Sequence, residues 1–181
     1  MERFIASILP EVPGCSNYAI KQAVLRTAFQ FCSESLIWQV AAEKEITSGN
    51  AELTLTTGTG AQIANCYIFL NEKRYKSFTR SEATVTLYDA VTADTDFDTI
   101  SFLKPAEDAA DLPDILFNDW YDGIEAGAKK KLQLQANKPW FNEKLAAYNN
   151  SIYENRLNEA RVAARRTGIY TEFLIIRDTD F

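Results

Sequence analysis

Hydrophobic side chains recur at helical spacing in two parts of the chain, near its beginning and over its last third. The first part begins at Ser16 or Asn17, either of which can cap a helix, and it continues to about Val40. The second part, Asp111–Gly168, contains two such stretches separated by an Asn-Lys-Pro-Trp sequence at 137–140. The residue before a proline is disfavoured in a helix, so this sequence should end the first helix of a pair. The pattern predicts one N-terminal helix and a long C-terminal helix pair.

The helix pair carries further local signals. Pro113 suits the first turn of its first helix, and Asn142 can cap the second. Gly123 and Gly127 lie inside the first helix, where a glycine costs roughly 1 kcal/mol relative to alanine. They indicate that another backbone approaches closely, either in the same chain, which is the interpretation we favour, or in a neighbouring subunit. The predicted inward stripe of the second helix is Leu145, Tyr148, Ile152, Ala160 and Ala163.

Between the two helical parts the spacing changes from helical to alternating, from about Glu45 onward. A hairpin over 62–78 should turn near Asn71-Glu72, and an acidic loop is expected at 89–98. Further strands are predicted at 51–57, 84–88 and 99–103. The opening residues 1–14 contain two prolines and are expected to be an extended lead-in.

The residues after Gly168 form a strong strand-forming stretch, Ile169–Arg177. Left exposed, such a stretch would invite aggregation, so it should pair within its own β unit or add to the edge of a neighbour's sheet. The sequence leaves both possibilities open. The candidate contact residues of this tail are Tyr170, Phe173, Leu174, Ile175, Ile176, Arg177 and Phe181.

These elements predict an α+β, mainly α fold in a single domain, 1–181. The fold would be a helical bundle, made of one N-terminal helix and the long C-terminal helix pair, with an inserted small antiparallel β unit. We expect the helical core at 1–44 and 111–168, the β insertion at 45–106 and an extended C-terminal tail at 169–181.

Composition argues against an enzyme. The chain contains no histidine, which removes the commonest general base and metal ligand. Asp94, Asp96 and Asp98 have the spacing that starts a calcium loop, but Thr99 and Pro105 stand where the required glycine and glutamate should be. We therefore expect no catalytic residue, cofactor or metal site. Three scattered cysteines should be buried small hydrophobes, and neither a membrane span nor a signal peptide is expected.

Charge is segregated along this chain of net charge −6. The range 82–125 holds twelve acidic residues and one lysine, whereas 129–166 holds nine basic and three acidic residues. Such asymmetry can be a solvated face or a surface that meets an oppositely charged copy of the chain. The charged residues that we select as candidates for such a contact are Asp94, Asp96, Asp98, Asp119, Asp122, Lys129, Lys130, Lys131, Arg161 and Arg165.

Several short sequences together resemble the bacteriophage head–tail adaptor (connector, or neck) proteins. The strings that carry the resemblance are Ile8–Cys15, Ala28–Cys32 running to Trp38, Tyr121–Ala128, Lys138-Pro139-Trp140 and Ala160-Arg161. The resemblance covers about 8–168.

The resemblance implies a virion structural protein of the neck, assembled in the host cytoplasm. Such adaptors form a ring, usually of twelve copies, beneath the portal, and tail or nozzle proteins attach below. DNA passes through the central channel as cargo without specific binding. An extended terminal segment commonly engages the portal, a role that Ile169–Phe181 matches by position. The alternative is a monomeric regulatory or chaperone-like binding module that acts by β-strand addition through this tail.

Overall fold

The computed structural model describes residues 1–166, and all structural statements below concern that part of the chain. Its helices are α1 (Glu2–Ile8), α2 (Asn17–Ser35), α3 (Asp114–Asn118), α4 (Tyr121–Gln133) and α5 (Glu143–Arg166), and Leu9–Glu11 forms a 3₁₀ turn after α1. Its strands are β1 (Gln39–Ile46), β2 (Glu52–Thr54), β3 (Ala61–Leu70), β4 (Lys73–Tyr75), β5 (Phe78–Ser81), β6 (Thr84–Leu87) and β7 (Thr95–Pro105).

The predicted fold class is wrong. Within residues 1–166 the fold is α+β with 43% helix and 26% strand, five helices and two antiparallel sheets, and it is not a helical bundle with a small β unit. The strands occupy 39–105 rather than 45–106, so residues 39–44, which we assigned to the helical core, lie in β1. The β part is therefore a major layer of the fold.

The two sheets share one hydrophobic core. One sheet has four strands in the order β1-β7-β3-β4, and the other has three in the order β2-β6-β5. The side chains buried between them include Ile46, Leu53, Ile68, Val85 and Phe97. Because the strands bury a core of their own, they do not depend on the helices alone for stability.

The helices form a second core against the other face of the four-stranded sheet. Phe4, Val24, Phe31, Ile124 and Leu157 lie at its centre, drawn from α1, α2, α4 and α5. A smaller cluster, with Phe69, Ile100 and Phe102 at its centre and Leu36 against it, lies between α2 and the sheet. The fold is thus layered as helices, a four-stranded sheet and a three-stranded sheet.

The beginning of the chain differs from the prediction. The expected extended lead-in is helical, because Phe4 and Ile8, four residues apart, are both completely buried against the helical core. Pro10 is compatible with the 3₁₀ turn because it lies in the first residues of that turn. The predicted cap of α2 is confirmed, since the Ser16 hydroxyl accepts a hydrogen bond from the Ala19 N–H at 3.2 Å. The helix ends earlier than predicted, where Leu36 adopts a left-handed conformation with φ +57°.

The predicted hairpin is confirmed. β3 and β4 pair antiparallel with Leu70 opposite Lys73, and Asn71 and Glu72 form the turn with φ of +50° and +65°. Two consecutive positive φ angles match the right-handed twist of the flanking strands. The expected acidic loop is partly wrong, because β7 begins at Thr95 and takes in the last four residues of that loop.

Close packing around the glycines within the chain is confirmed, but side chains, and not another backbone, fill the space beside them. A Cβ added at Gly127 would lie 2.5 Å from Thr27 Cγ2 and 2.6 Å from Tyr153 Cδ2, so α2 and α5 both approach α4 there. The Asn142 cap is also confirmed, since its side-chain oxygen accepts a hydrogen bond from the Leu145 N–H at 3.0 Å. The first predicted helix, however, is divided into α3 and α4, because Trp120 leaves the helical region at φ −121°, ψ 16°.

The three cysteines of the chain are free and buried, as predicted. Burial raises the pKa of the Cys32 thiol to about 12. None of the helices among residues 1–166 combines the length and the apolar character that a membrane span requires.

Candidate interaction surfaces

Two of the acidic candidates, Asp96 and Asp98, face acidic residues on the neighbouring strand. In the β1–β7 ladder Glu43 is opposite Asp98 and Glu45 is opposite Asp96, and all four side chains are exposed. We call these four residues the acidic strip. Like charges directly opposite each other on adjacent strands destabilise a sheet. None of the four carboxylates forms an ion pair with another residue of 1–166.

The acidic strip continues a buried face of the four-stranded sheet. Side chains alternate along β7, so Asp96 and Asp98 lie on the same face as Ile100 and Phe102. Those two residues are buried in the cluster that contains Leu36, at the end of α2. The strip therefore begins where the helical layer stops covering the sheet.

The other acidic candidates do not join the strip. Asp94 accepts a hydrogen bond from the Ser48 N–H at 2.8 Å and so stabilises the turn before β7. Asp119 follows the end of α3, and Asp122 forms an ion pair with Arg156 of α5 at 3.0 Å. No group of three acidic or cysteine residues within 1–166 is arranged to hold a metal ion.

The basic candidate Lys129 forms ion pairs within the molecule. Its ammonium group contacts the carboxylates of Glu11 and Glu125, and only 12% of its side chain is exposed. Burial alone would lower the pKa of Lys129, but the hydrogen bonds to both glutamates outweigh that effect and raise it. Lys129 therefore joins α4 to the turn after α1, and it is a poor candidate for a subunit contact.

Lys130 and Lys131 lie beside Lys129 without an ion pair to residues 1–166. Burial lowers the pKa of Lys131, and repulsion from Lys130 and from Arg26 lowers it further. The Lys130 ammonium lies 5.8 Å from the centre of the Tyr153 ring. This side of α2 and α4 therefore carries positive charge that Glu34 offsets only in part.

Arg161 and Arg165 lie near the end of α5. Arg161 contacts the Glu34 carboxylate at 3.1 Å and the Glu34 carbonyl at 3.2 Å, which holds α5 against the end of α2. Arg165 is exposed in the last turn. The Ala164 carbonyl accepts a hydrogen bond from the Gln39 side chain at 3.0 Å, so α5 ends beside the start of β1.

The structure shows an apolar surface that the sequence analysis did not identify. Leu134, Phe141, Leu145 and Tyr148 are 50%, 42%, 41% and 64% exposed. They surround the connection between α4 and α5, where the Asn142 N–H donates to the Gln133 carbonyl at 2.9 Å. We call these four residues the hairpin-tip patch. Exposed apolar residues grouped in this way commonly mark a protein contact.

The sequence analysis missed the hairpin-tip patch because it placed the buried positions at the start of α5 one residue too early. Leu145 and Tyr148 were placed in the core, whereas the buried positions of this stretch are Ala146, Asn149 and Tyr153. Asn149 can be buried because its side-chain amide donates to Gln133 Oε1 at 2.9 Å. The sequence did contain a signal for this surface, because leucine and aromatic residues stand there next to polar positions of the helix. Trp140, which lies in the connection between α4 and α5, is half-buried against the helical core.

A shallow groove of about 460 Å³ lies along α2. Its lining includes Arg26, Phe29 and Gln30 of α2 and Glu107 from the segment after β7. The lining of this groove therefore contains charged groups and an aromatic ring, and it contains no cysteine. The predicted tail contacts, Tyr170 to Phe181, lie outside the described residues.

No model of a known protein family matches this chain, and no curated protein compared with it matches either.

Proposed function

We propose that this chain is a virion structural protein, a ring-forming head-to-tail adaptor that docks under a phage portal. In this role it extends the DNA channel and provides the attachment site for tail or nozzle proteins. Its ring is expected to contain twelve copies in the neck of the virion, assembled in the host cytoplasm. The chain acts through its surfaces and not as an enzyme.

The observation that carries the proposal is the acidic strip. Two like-charged cross-strand pairs cost stability in the isolated subunit, on the order of 0.2–1 kcal/mol each. Residues that break a local stability rule without compensation are expected at functional surfaces. Four carboxylates on one sheet face would repel the phosphates of DNA moving through a channel, or would meet a basic surface of a neighbouring subunit.

The basic charge of Lys130, Lys131 and Arg26, which Glu34 offsets only in part, supports the same proposal. A ring requires two unlike surfaces on each subunit that mate head to tail. An acidic and a basic surface satisfy that requirement. Contact between them would also offset the repulsion among the like charges within each surface.

Native mass spectrometry and negative-stain imaging test the proposal directly. We expect the purified chain, mixed with portal protein, to form a ring whose copies are present in a fixed ratio to the portal. If charges join the subunits, rising salt should weaken the ring, because exposed charges are screened. A chain that remains monomeric and ignores the portal at every salt concentration would contradict the proposal.

A monomeric module that adds a strand to a partner's sheet is the second candidate. The observation that favours it is the strand-forming sequence Ile169–Arg177, which follows α5 in the chain. Deleting 169–181 separates the two candidates. Loss of ring formation supports the adaptor, whereas loss of binding by a chain that was always monomeric supports the module.

A further inference from the structure

β1 is an edge strand of the four-stranded sheet. It pairs along one side with β7, and within residues 1–166 no backbone group of 40–46 bonds to any other strand or turn. In an antiparallel pair, every second residue directs its backbone N–H and C=O groups away from the partner strand. β1 therefore presents a row of backbone donors and acceptors on its other side. We call this row the outer edge of β1.

The two halves of this edge differ in charge. Residues 43–45 are all charged, and charged side chains are one of the ways in which proteins keep an edge strand from pairing. Residues 40–42 are valine and two alanines, and Ala41 is exposed. The first half of β1 therefore lacks the protection that the second half has.

The end of α5 lies beside this unprotected half. The side-chain amide of Gln39, at the start of β1, donates a hydrogen bond to the Ala164 carbonyl at 3.0 Å. Two residues separate the last residue of α5, Arg166, from the strand-forming stretch that begins at Ile169. Ile169 is five residues beyond Ala164, so the chain can place it at most about 18 Å away. The stretch therefore begins near the start of β1.

We propose that residues 169–177 pair with the outer edge of β1 of the same chain and add a strand to its sheet. Because the stretch begins near the start of β1, it would run parallel to β1. The lengths match, since the eight residues of β1 span about 26 Å and nine extended residues span about 30 Å. This inference goes beyond the proposed function, which rests on the acidic strip.

The short link favours pairing within one chain over pairing with a second copy. A link of two residues holds the stretch beside the edge at an effective concentration in roughly the millimolar range. β-branched and aromatic residues dominate 169–177, as strands prefer. A strand at this edge would also cover part of Val40, which is half-buried against the core between the two sheets. Removing that apolar surface from water stabilises the pairing.

Amide hydrogen exchange measured by NMR tests the proposal. In the full chain, slow exchange is expected for the amides of 169–177 that pair with β1 and for those of 40–42 that point away from β7. Deleting 169–181 should accelerate exchange of these 40–42 amides at least about tenfold, because an edge amide without a partner exchanges through small local openings. The amides of the central strand β3 should keep their protection, which shows that the shortened chain still folds.

Two proline variants of the full chain give the test its controls. Phe173→Pro removes one backbone donor from the middle of the stretch and disfavours a paired strand there. It should accelerate exchange of the same 40–42 amides without shortening the chain. Thr179→Pro lies outside the stretch and should leave their exchange unchanged.

Isotope labelling separates pairing within a chain from pairing between copies. A labelled chain that lacks 169–181 is mixed with the unlabelled full chain, and only the labelled amides are observed. Its 40–42 amides should stay unprotected, because the tail of each full chain occupies the edge of its own β1. Protection of the labelled chain, or protection that rises with protein concentration, would show pairing between copies and overturn the proposal.

The outcomes separate this inference from the proposed function. Fast exchange throughout 169–177 in the full chain, or equal exchange of 40–42 with and without 169–181, would overturn the inference. Rings on the portal would leave the adaptor role standing in that case. Conversely, a protected edge in a chain that ignores the portal would support the inference and contradict the adaptor role.

Discussion

At the scale of single residues, Gly127 is the position where the packing is tightest. Thr27 from α2 and Tyr153 from α5 occupy the space where a side chain would begin. Both contacting atoms belong to buried side chains, so they cannot move aside freely. The glycine therefore permits the close approach of three helices.

Replacing Gly127 with alanine should destabilise the protein by about 1–3 kcal/mol, because the new methyl group overpacks the core. Helix propensity alone predicts the opposite sign, a gain of about 1 kcal/mol. Urea denaturation measures the difference. The second substitution Thr27→Ser removes the nearest methyl group and keeps a hydroxyl that can bond to the Ala23 carbonyl, so it should recover part of the loss. A more stable Gly127→Ala variant would contradict the packing.

Tyr153 is buried, and its hydroxyl has no hydrogen-bond partner within residues 1–166. Burial, with a smaller contribution from Glu34, raises the pKa of Tyr153 well above its ordinary value near 10. As pH rises above about 10, the phenol therefore ionises in the unfolded state while it stays neutral in the folded state. The stability associated with the neutral phenol is present below pH 10 and is lost as pH rises above it.

The substitution Tyr153→Phe should leave stability at neutral pH equal or higher by about 1 kcal/mol, because an unpaired polar group leaves the core. Above pH 10 its advantage over the wild type should widen, by up to about 1.4 kcal/mol per pH unit. Denaturation curves at neutral and alkaline pH measure this gap. Tyr148→Phe removes a hydroxyl from an exposed position of the same helix and should not show the widening. A constant gap for Tyr153→Phe would count against the burial argument.

At the scale of elements, β1 shows why the sequence was misread. Gln39–Ile46 is rich in alanine, glutamate and lysine, which favour helices, and its strand state follows from pairing along its whole length with β7. That pairing joins residues 49 to 63 positions apart, so no local pattern reveals it. The same holds for Asn149, whose burial depends on Gln133 in another helix. The helix caps and the Asn71-Glu72 turn could be predicted because their signals are local.

Pairing of β1 with β7 also explains how the acidic strip could be recognised only in part. Asp96 and Asp98 were selected from the sequence, but Glu43 and Glu45 join them through the register of the two strands. The tail candidates, in contrast, were chosen from composition alone and stay predictions.

Reversing one charge of the acidic strip should stabilise the isolated subunit. Glu43→Lys converts the Glu43–Asp98 pair to opposite charges, and we expect a gain of about 0.5 kcal/mol in low salt that shrinks in high salt. Urea denaturation at two salt concentrations measures the effect. Glu52→Lys on β2, where Thr86 is the opposite residue, is the matched control and should change stability little.

The same variant connects stability to assembly. If the strip is a functional surface, Glu43→Lys should weaken ring formation on the portal while it stabilises the subunit. A variant that is more stable and assembles normally would show that the strip is only a solvated face.

At the scale of the whole molecule, the fold presents different surfaces in different places. The acidic strip lies on the part of the four-stranded sheet that the helices leave uncovered, the hairpin-tip patch lies at the start of α5, and the tail follows the end of α5 in the sequence. Because the two sheets have a core of their own, they can contact one partner while the helices contact another. Such an arrangement suits a subunit that meets several partners at once, which is what an adaptor between a portal and a tail requires.

The most direct test is to locate the chain in intact phage particles by cryo-electron microscopy of the neck. If the chain is the proposed adaptor, density for the two-sheet and helical layers should repeat around the channel axis between the portal and the tail. Particles that lack the chain, or that carry it away from the portal vertex, would contradict the account.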